Sequence, residues 1–229
     1  MIVPLFLDTN DCRHFSNDAR RAIGEVCADA EPEIRSLLAD LPENIDLACQ
    51  TGPFVIPETG EMGTAIAPNR VGWTVDYRLP GGVVTIARTQ LRFTLFHELH
   101  HLVRGWVMYG GAAPNSFMDG VVSEGLATVF ERDFGGRETP WGEYPEDVEN
   151  WVTELLELPV SAPYNQWMFQ HPDGRRWIGY RAGTYIADQA ILASGYSAAD
   201  LVLISTDEIL KMSGIGLVKP NNAMHATST

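Results

Sequence analysis

Cysteine is scarce in this chain. Cys12, Cys27 and Cys49 are its three thiols in 229 residues, and no two form a C-x-x-C pair. That excludes a disulfide-framed fold and points to a reducing compartment, so a cytoplasmic setting is expected. Long apolar runs are also missing, since none approaches the ~18 residues a membrane span requires. The opening segment, Met1 to Asp8, has no basic flank and does not read as a secretory signal. Basic residues are few: 16 Lys and Arg against 30 Asp and Glu give a formal charge of −14. Such a field repels phosphate backbones and removes nucleic acid from the expected partners. Internal repeats and low-complexity tracts are absent. What is present is ordinary globular material, 45% hydrophobic and 20% charged, able to bury its own core. One domain is expected over residues 1–218, followed by a polar tail, 219–229.

The local patterns place strands early and helices late, which predicts an α+β class without βαβ alternation. Met1 to Leu7 and Ile45 to Gln50 read as strands. Ser16 opens a helical stretch reaching Asp40, with a possible break at Pro32. Pro53 to Asn69 is rich in proline and glycine and reads as an ordered loop. Val71 to Leu79 and Val83 to Ala87 flank Pro80-Gly81-Gly82 and read as a β-hairpin. From about Thr89 the apolar period becomes helical, with Leu91, Leu95, Leu99, Leu102 and Trp106 on one stripe and an end near Gly105. Further helices are expected over Asp119 to Phe134, Pro145 to Leu158, Ile178 to Ala193 and Ser197 to Met212.

The chemistry lies in Phe93-Thr94-Leu95-Phe96-His97-Glu98-Leu99-His100-His101-Leu102. His97-Glu98-x-x-His101 has the spacing at which two imidazoles, one helical turn apart, converge on one cation. The residue after the first histidine points about 100° around the helix, so Glu98 sits beside the ion and can take a proton from water. A catalytic zinc needs a third N or O donor and an open position. Glu124, in Val121-Val122-Ser123-Glu124-Gly125-Leu126-Ala127, is an acid in a small and apolar neighbourhood that calls for a partner. The alternative for Glu124 is a surface position or an ion pair with Arg104. Gly125 and Ala127 would let this helix approach the histidine helix. His100 reads as a packed histidine, and His14 and His225 as structural or exposed ones.

His97, His101 and Glu124 together form a His₂Glu set of gluzincin type. With Arg92 to Arg104, Val121 to Ala127, Ile178 to Gly183 and Gly63 to Asn69, the chain resembles the predicted zinc-dependent proteases known as domain of unknown function 2268. The resemblance implies a zincin-like fold, in which a small sheet or hairpin packs on the active-site helix and the C-terminal half is mostly helical. It also implies peptidase activity. Better-known gluzincins carry, one turn after the glutamate ligand, an acid that orients a ligand histidine from behind. Thr128 stands there instead, so that carboxylate must come from elsewhere. Glu131, about 10 Å further along the axis than Glu124, is too distant to be a fourth ligand.

The expected activity is peptide-bond hydrolysis of a peptide or protein substrate, with one zinc per chain and Glu98 as general base. Tyr180 is the candidate donor to the oxyanion, with His171 and Arg181 behind it. Two other readings use the same residues: hydrolysis of a non-peptide amide or ester, and a non-catalytic metal-binding adaptor. An open position facing a groove beside Val83 to Arg88 would favour an enzyme.

Overall fold

The computed structural model describes residues 1–7, 14–111, 116–159 and 161–215. Cys12, His225 and the polar tail lie outside that set. Four strands form one mixed sheet in the order β1-β2-β4-β3. β1 (Ile2–Phe6) and β2 (Ile45–Thr51) pair in parallel, with Ile2 opposite Ile45. Between them runs helix α1 (Asn17–Leu37), capped by the Ser16 side chain at the Ala19 N–H. This β-α-β unit corrects the expectation of no such alternation. α1 also runs unbroken through Pro32. Its stripe of Ala19, Ala22, Ile23, Cys27, Ala30 and Ile34 is fully buried on both sides of the proline. That continuous burial outweighs the one backbone hydrogen bond that proline removes.

β2 also pairs in parallel with β4 (Arg70–Val75), and β3 (Glu61–Ala67) closes the edge antiparallel to β4, Gly63 opposite Trp73. The expected hairpin is therefore wrong in its second arm, and the expected loop contains its true partner. Val83 to Ala87 is helical instead. After glycines at φ 80° and 56°, α2 (Gly82–Ile86) runs through a π-helical turn at Ala87–Leu91 into α3 (Arg92–Arg104). Val83 and Ile86 are buried there against the core, and that burial overrides the strand preference of β-branched residues. α3 ends at Gly105, in the left-handed conformation that a residue without Cβ adopts freely.

α4 (Phe117–Phe130) opens on a capping box between Ser116 and Asp119 and widens into a π-helical turn over Glu131–Gly135. α5 (Val148–Leu156) and the short α6 (Tyr164–Met168) lead to α7 (Ile178–Ser194), and α8 (Thr206–Met212) follows. The helix expected over Ser197 to Met212 forms only in its last part. The carbonyls of Val202 and Ile204 turn instead to the Arg104 guanidinium, at 3.0 and 2.9 Å. The class is α+β, about half helical. Among the described residues no helix is long and apolar enough to cross a membrane.

α4 and α7 pack backbone against backbone. A Cβ on Gly125 would lie 2.1 Å from the Gly183 backbone, and one on Gly183 would lie 2.1 Å from the Val121 carbonyl oxygen. Gly125 thus faces α7 and not the histidine helix as expected. Because the clash is with backbone, relaxation requires the two helices to separate. Gly125→Ala should cost about 3 kcal/mol or more, at the upper end for overpacking. A urea midpoint within a few tenths molar of the parent's would show that the contact is looser than described.

Candidate metal centre

α3 presents His97, Glu98 and His101, all buried, towards Glu124 of α4. Leu95 and Leu99 leave the helix on its other sides, fully buried in the core. The Glu124 Oε2 atom lies 3.1 Å from His97 Nε2 and 3.2 Å from His101 Nε2. One ligand atom from each of the three residues falls within 4.8 Å of the others. Donors bonded to one tetrahedral zinc at ~2.0 Å are themselves ~3.3 Å apart, so the carboxylate-to-imidazole spacing fits that ion. The alternative partner for Glu124 is ruled out, because Arg104 instead binds Ser123 Oγ at 2.8 Å and the two carbonyls already described.

Glu131 supplies the carboxylate that Thr128 does not. Its Oε2 lies 3.2 Å from His97 Nδ1, on the ring edge opposite Glu124. An N–H at Nδ1 directed to Glu131 leaves the Nε2 lone pair free for a cation. Glu131 begins the π-helical turn, which widens the helix where the side chain reaches back under His97. Trp106 is a second orienting group. The sequence reading put it on the apolar stripe, but it lies beyond the end of α3 and its indole N–H donates to Glu124 Oε1 at 3.3 Å. Neither contact has a periodic signature. Trp106 follows a helix cap, and Glu131 reaches His97 only when the two helices pack.

Electrostatics at the site are strongly coupled. Burial alone would lower the His97 imidazole, but the carboxylates of Glu124 and Glu131 on its two nitrogens hold it well above its ordinary value. Burial lowers His101, with Glu124 opposing. Burial would raise Glu124, yet the two histidines hold it well below the usual carboxylate range. Glu98 moves the other way. Burial, reinforced by the negative charges of Glu124 and Glu61, pushes its carboxyl up to about 8. A bound divalent cation would pull it back down.

Glu98 is reached by the edge strand. A Cβ at Gly63 would stand 2.5 Å from Glu98 Oε1 and from Thr94 Cγ2, so only glycine lets β3 pass this close. Glu61, next but one on the strand, accepts from Trp73 Nε1 at 2.9 Å and from Thr94 Oγ1 at 2.8 Å. The open side of the site is a cavity of about 850 Å³, lined by β3, by Trp106 to Gly111 and by Trp177 and Tyr180. It opens beside β3, and no residue from Val83 to Arg88, where a groove would have favoured an enzyme, lines it.

Tyr180 is brought to this cavity, its half-buried ring stacked 6.5 Å from that of His97. Burial and the Glu124 charge hold its phenol well above the ordinary value, so it stays a proton donor. Tyr164, which the sequence reading missed, also lines the cavity. His171 and Arg181 do not: His171 pairs with Asp173 at 2.9 Å, and Arg181 donates to the Pro140 carbonyl at 3.0 Å. His100 is buried with Nε2 at 3.2 Å from the Ala198 carbonyl and its ring against Phe130. His14 stacks on Tyr77. Cys27 and Cys49 are buried free thiols.

Residues 42–211 match the family of predicted zinc-dependent proteases designated domain of unknown function 2268, and the chain belongs to that family. No curated protein and no solved structure matches it.

Glu131→Gln keeps size and fold but weakens the hold on the His97 ring. Zinc affinity should fall by about 10–100-fold, the usual effect of removing such a partner. Competition with a chromophoric chelator measures it, and an unchanged affinity would show that Glu131 does not orient His97 for a metal.

Proposed function

We propose that the protein is a gluzincin-type metallopeptidase with a zincin-like core, holding one zinc ion through His97, His101 and Glu124. The observation that carries this reading is the convergence of those three donors at a cavity whose wall also carries the Glu98 carboxylate. A purely structural zinc is closed by four protein donors and has no use for an adjoining base. Zinc bound there would supply Lewis acidity, which is worth several kcal/mol of charge stabilisation at an acyl centre.

The chain's own residues divide the remaining work. Glu98, on the turn between the two histidines, accepts the proton of the attacking water and can pass it to the leaving amine. Bound zinc would favour its ionised form, which accepts the proton, and its buried setting favours the neutral form that then gives the proton up. Gly63 gives the substrate backbone room beside Glu98, on the stretch of edge strand β3 that precedes the Ala65 and Ile66 carbonyls already bound by the Met108 and Tyr109 N–H groups. Tyr180 donates its phenolic proton as a hydrogen bond to the developing oxyanion. Glu131 and Trp106 hold His97 and Glu124 in place throughout.

Two glutamates with the same side chain hold different posts, and substitution separates them. Glu124→Ala should abolish stoichiometric zinc binding. Glu98→Gln should keep zinc and fold but lower turnover of a peptide library by about 10²–10⁴-fold. Elemental analysis and peptide mass spectrometry read both outcomes. Equal turnover in the parent and Glu98→Gln would sink the mechanism, and undiminished zinc in Glu124→Ala would remove the third ligand.

A further inference from the structure

The rim of the cavity carries large apolar side chains that the fold does not use. Phe54, in the loop between β2 and β3, is 82% exposed, and Met108 is 62% exposed on the strip after α3. Phe169 faces the same cavity at 39% exposure, its ring 5.7 Å from that of Trp177. Exposed apolar residues scattered singly need no explanation, but a set gathered around one opening marks a binding surface.

Apart from Glu98, which the hydrolytic reading assigns to water, the charges of the cavity are already engaged. Glu61, Glu124 and Glu131 are held by the tryptophan, threonine and histidine contacts described above. Arg137 lies against Gln90 Oε1 at 2.5 Å and over the Phe93 ring, and Arg176 binds Glu58 at 2.6 Å. Among the described residues that line it, the guanidinium groups are thus paired, which leaves apolar surface as what the mouth offers. The Glu58–Arg176 pair has a further effect. It bridges the Phe54 loop and the segment entering α7, on the two sides of the opening.

From this we infer that the cleft selects peptide segments bearing a bulky apolar side chain next to the scissile bond, with Phe54 and Met108 as specificity-determining residues. The inference rests on the peptidase reading for its scissile bond, but the binding it describes does not require turnover. Charged or small side chains at that position gain nothing from the rim and forfeit their hydration.

The test uses full-length Glu98→Gln protein loaded with zinc, so that bound peptides are not consumed. Labelled peptides of equal length and charge, differing only in one central residue (Phe or Leu against Ser or Asn), are titrated by fluorescence anisotropy. The Phe and Leu peptides should bind at least tenfold more tightly. Adding Phe54→Ser or Met108→Ser should erase most of that preference. Both sites are exposed, so the melting temperature should hold. Leu192→Ser, also exposed but away from the cavity, should change nothing. Equal binding of all peptides, no peptide binding, or indifference to Phe54→Ser and Met108→Ser would each overturn the inference. If the parent cleaves peptides without regard to the central residue, the inference falls while the peptidase reading stands. If apolar peptides bind through Phe54 and the parent cleaves none, the reverse holds.

Discussion

The structure turns on one buried carboxylate. Glu124 sits between two imidazoles at 3.1 and 3.2 Å, where little water can reach it. An ionised carboxyl in such a place is tolerable only when positive charge or strong donors surround it. Much of the architecture serves that requirement. The turn spacing of α3 brings His97 and His101 to one side, and the Gly125–Gly183 contact seats α4 on α7. Trp106, past the end of α3, then reaches the remaining carboxylate oxygen. Gly63 allows β3 to close over Glu98 without displacing it.

Around this carboxylate the site distributes negative charge in a graded way. Glu131 backs one imidazole, Glu61 is absorbed by an indole and a hydroxyl, and Glu98, met by the Ala65 N–H and the neighbouring His97, stays buried beside the like-charged Glu124 and Glu61. Like charges in a shared low-dielectric space push a carboxyl towards its neutral form. The result, without a metal, is one carboxylate stabilised as an anion and one pushed towards its neutral form, on neighbouring helices. That contrast gives two identical side chains different chemistry.

Legibility in the sequence followed the range of the interactions. His97, Glu98 and His101 were readable because a helix converts fixed spacing into a shared face. Glu124 was readable because an acid within Val-Val-Ser-Glu-Gly-Leu-Ala needs a partner. The β1 and β2 strands, the Ser16 cap and the Gly105 and Gly136 stops were local signals of the same kind. The failures were all long-range. β3 is a strand of small residues, Gly63 and Ala65 among them, because α3 lies against it, and smallness looks like a loop when that helix is not in view. Val83 to Ile86 carry the composition of a strand but form a helix that buries Val83 and Ile86. Glu131 and Trp106 acquire their roles only through packing between elements. The 198–204 segment bends away from its helical pattern to feed carbonyls to Arg104.

The central claim is that His97, His101 and Glu124 share one zinc ion. Anomalous diffraction collected on both sides of the zinc absorption edge, from crystals of the zinc-loaded protein, addresses it most directly. A single peak per chain should appear between α3 and α4, about 2.0–2.2 Å from both Nε2 atoms and from a Glu124 carboxylate oxygen. An absent peak, or one bound elsewhere while Glu124 remains hydrogen-bonded to the two histidines, would contradict it.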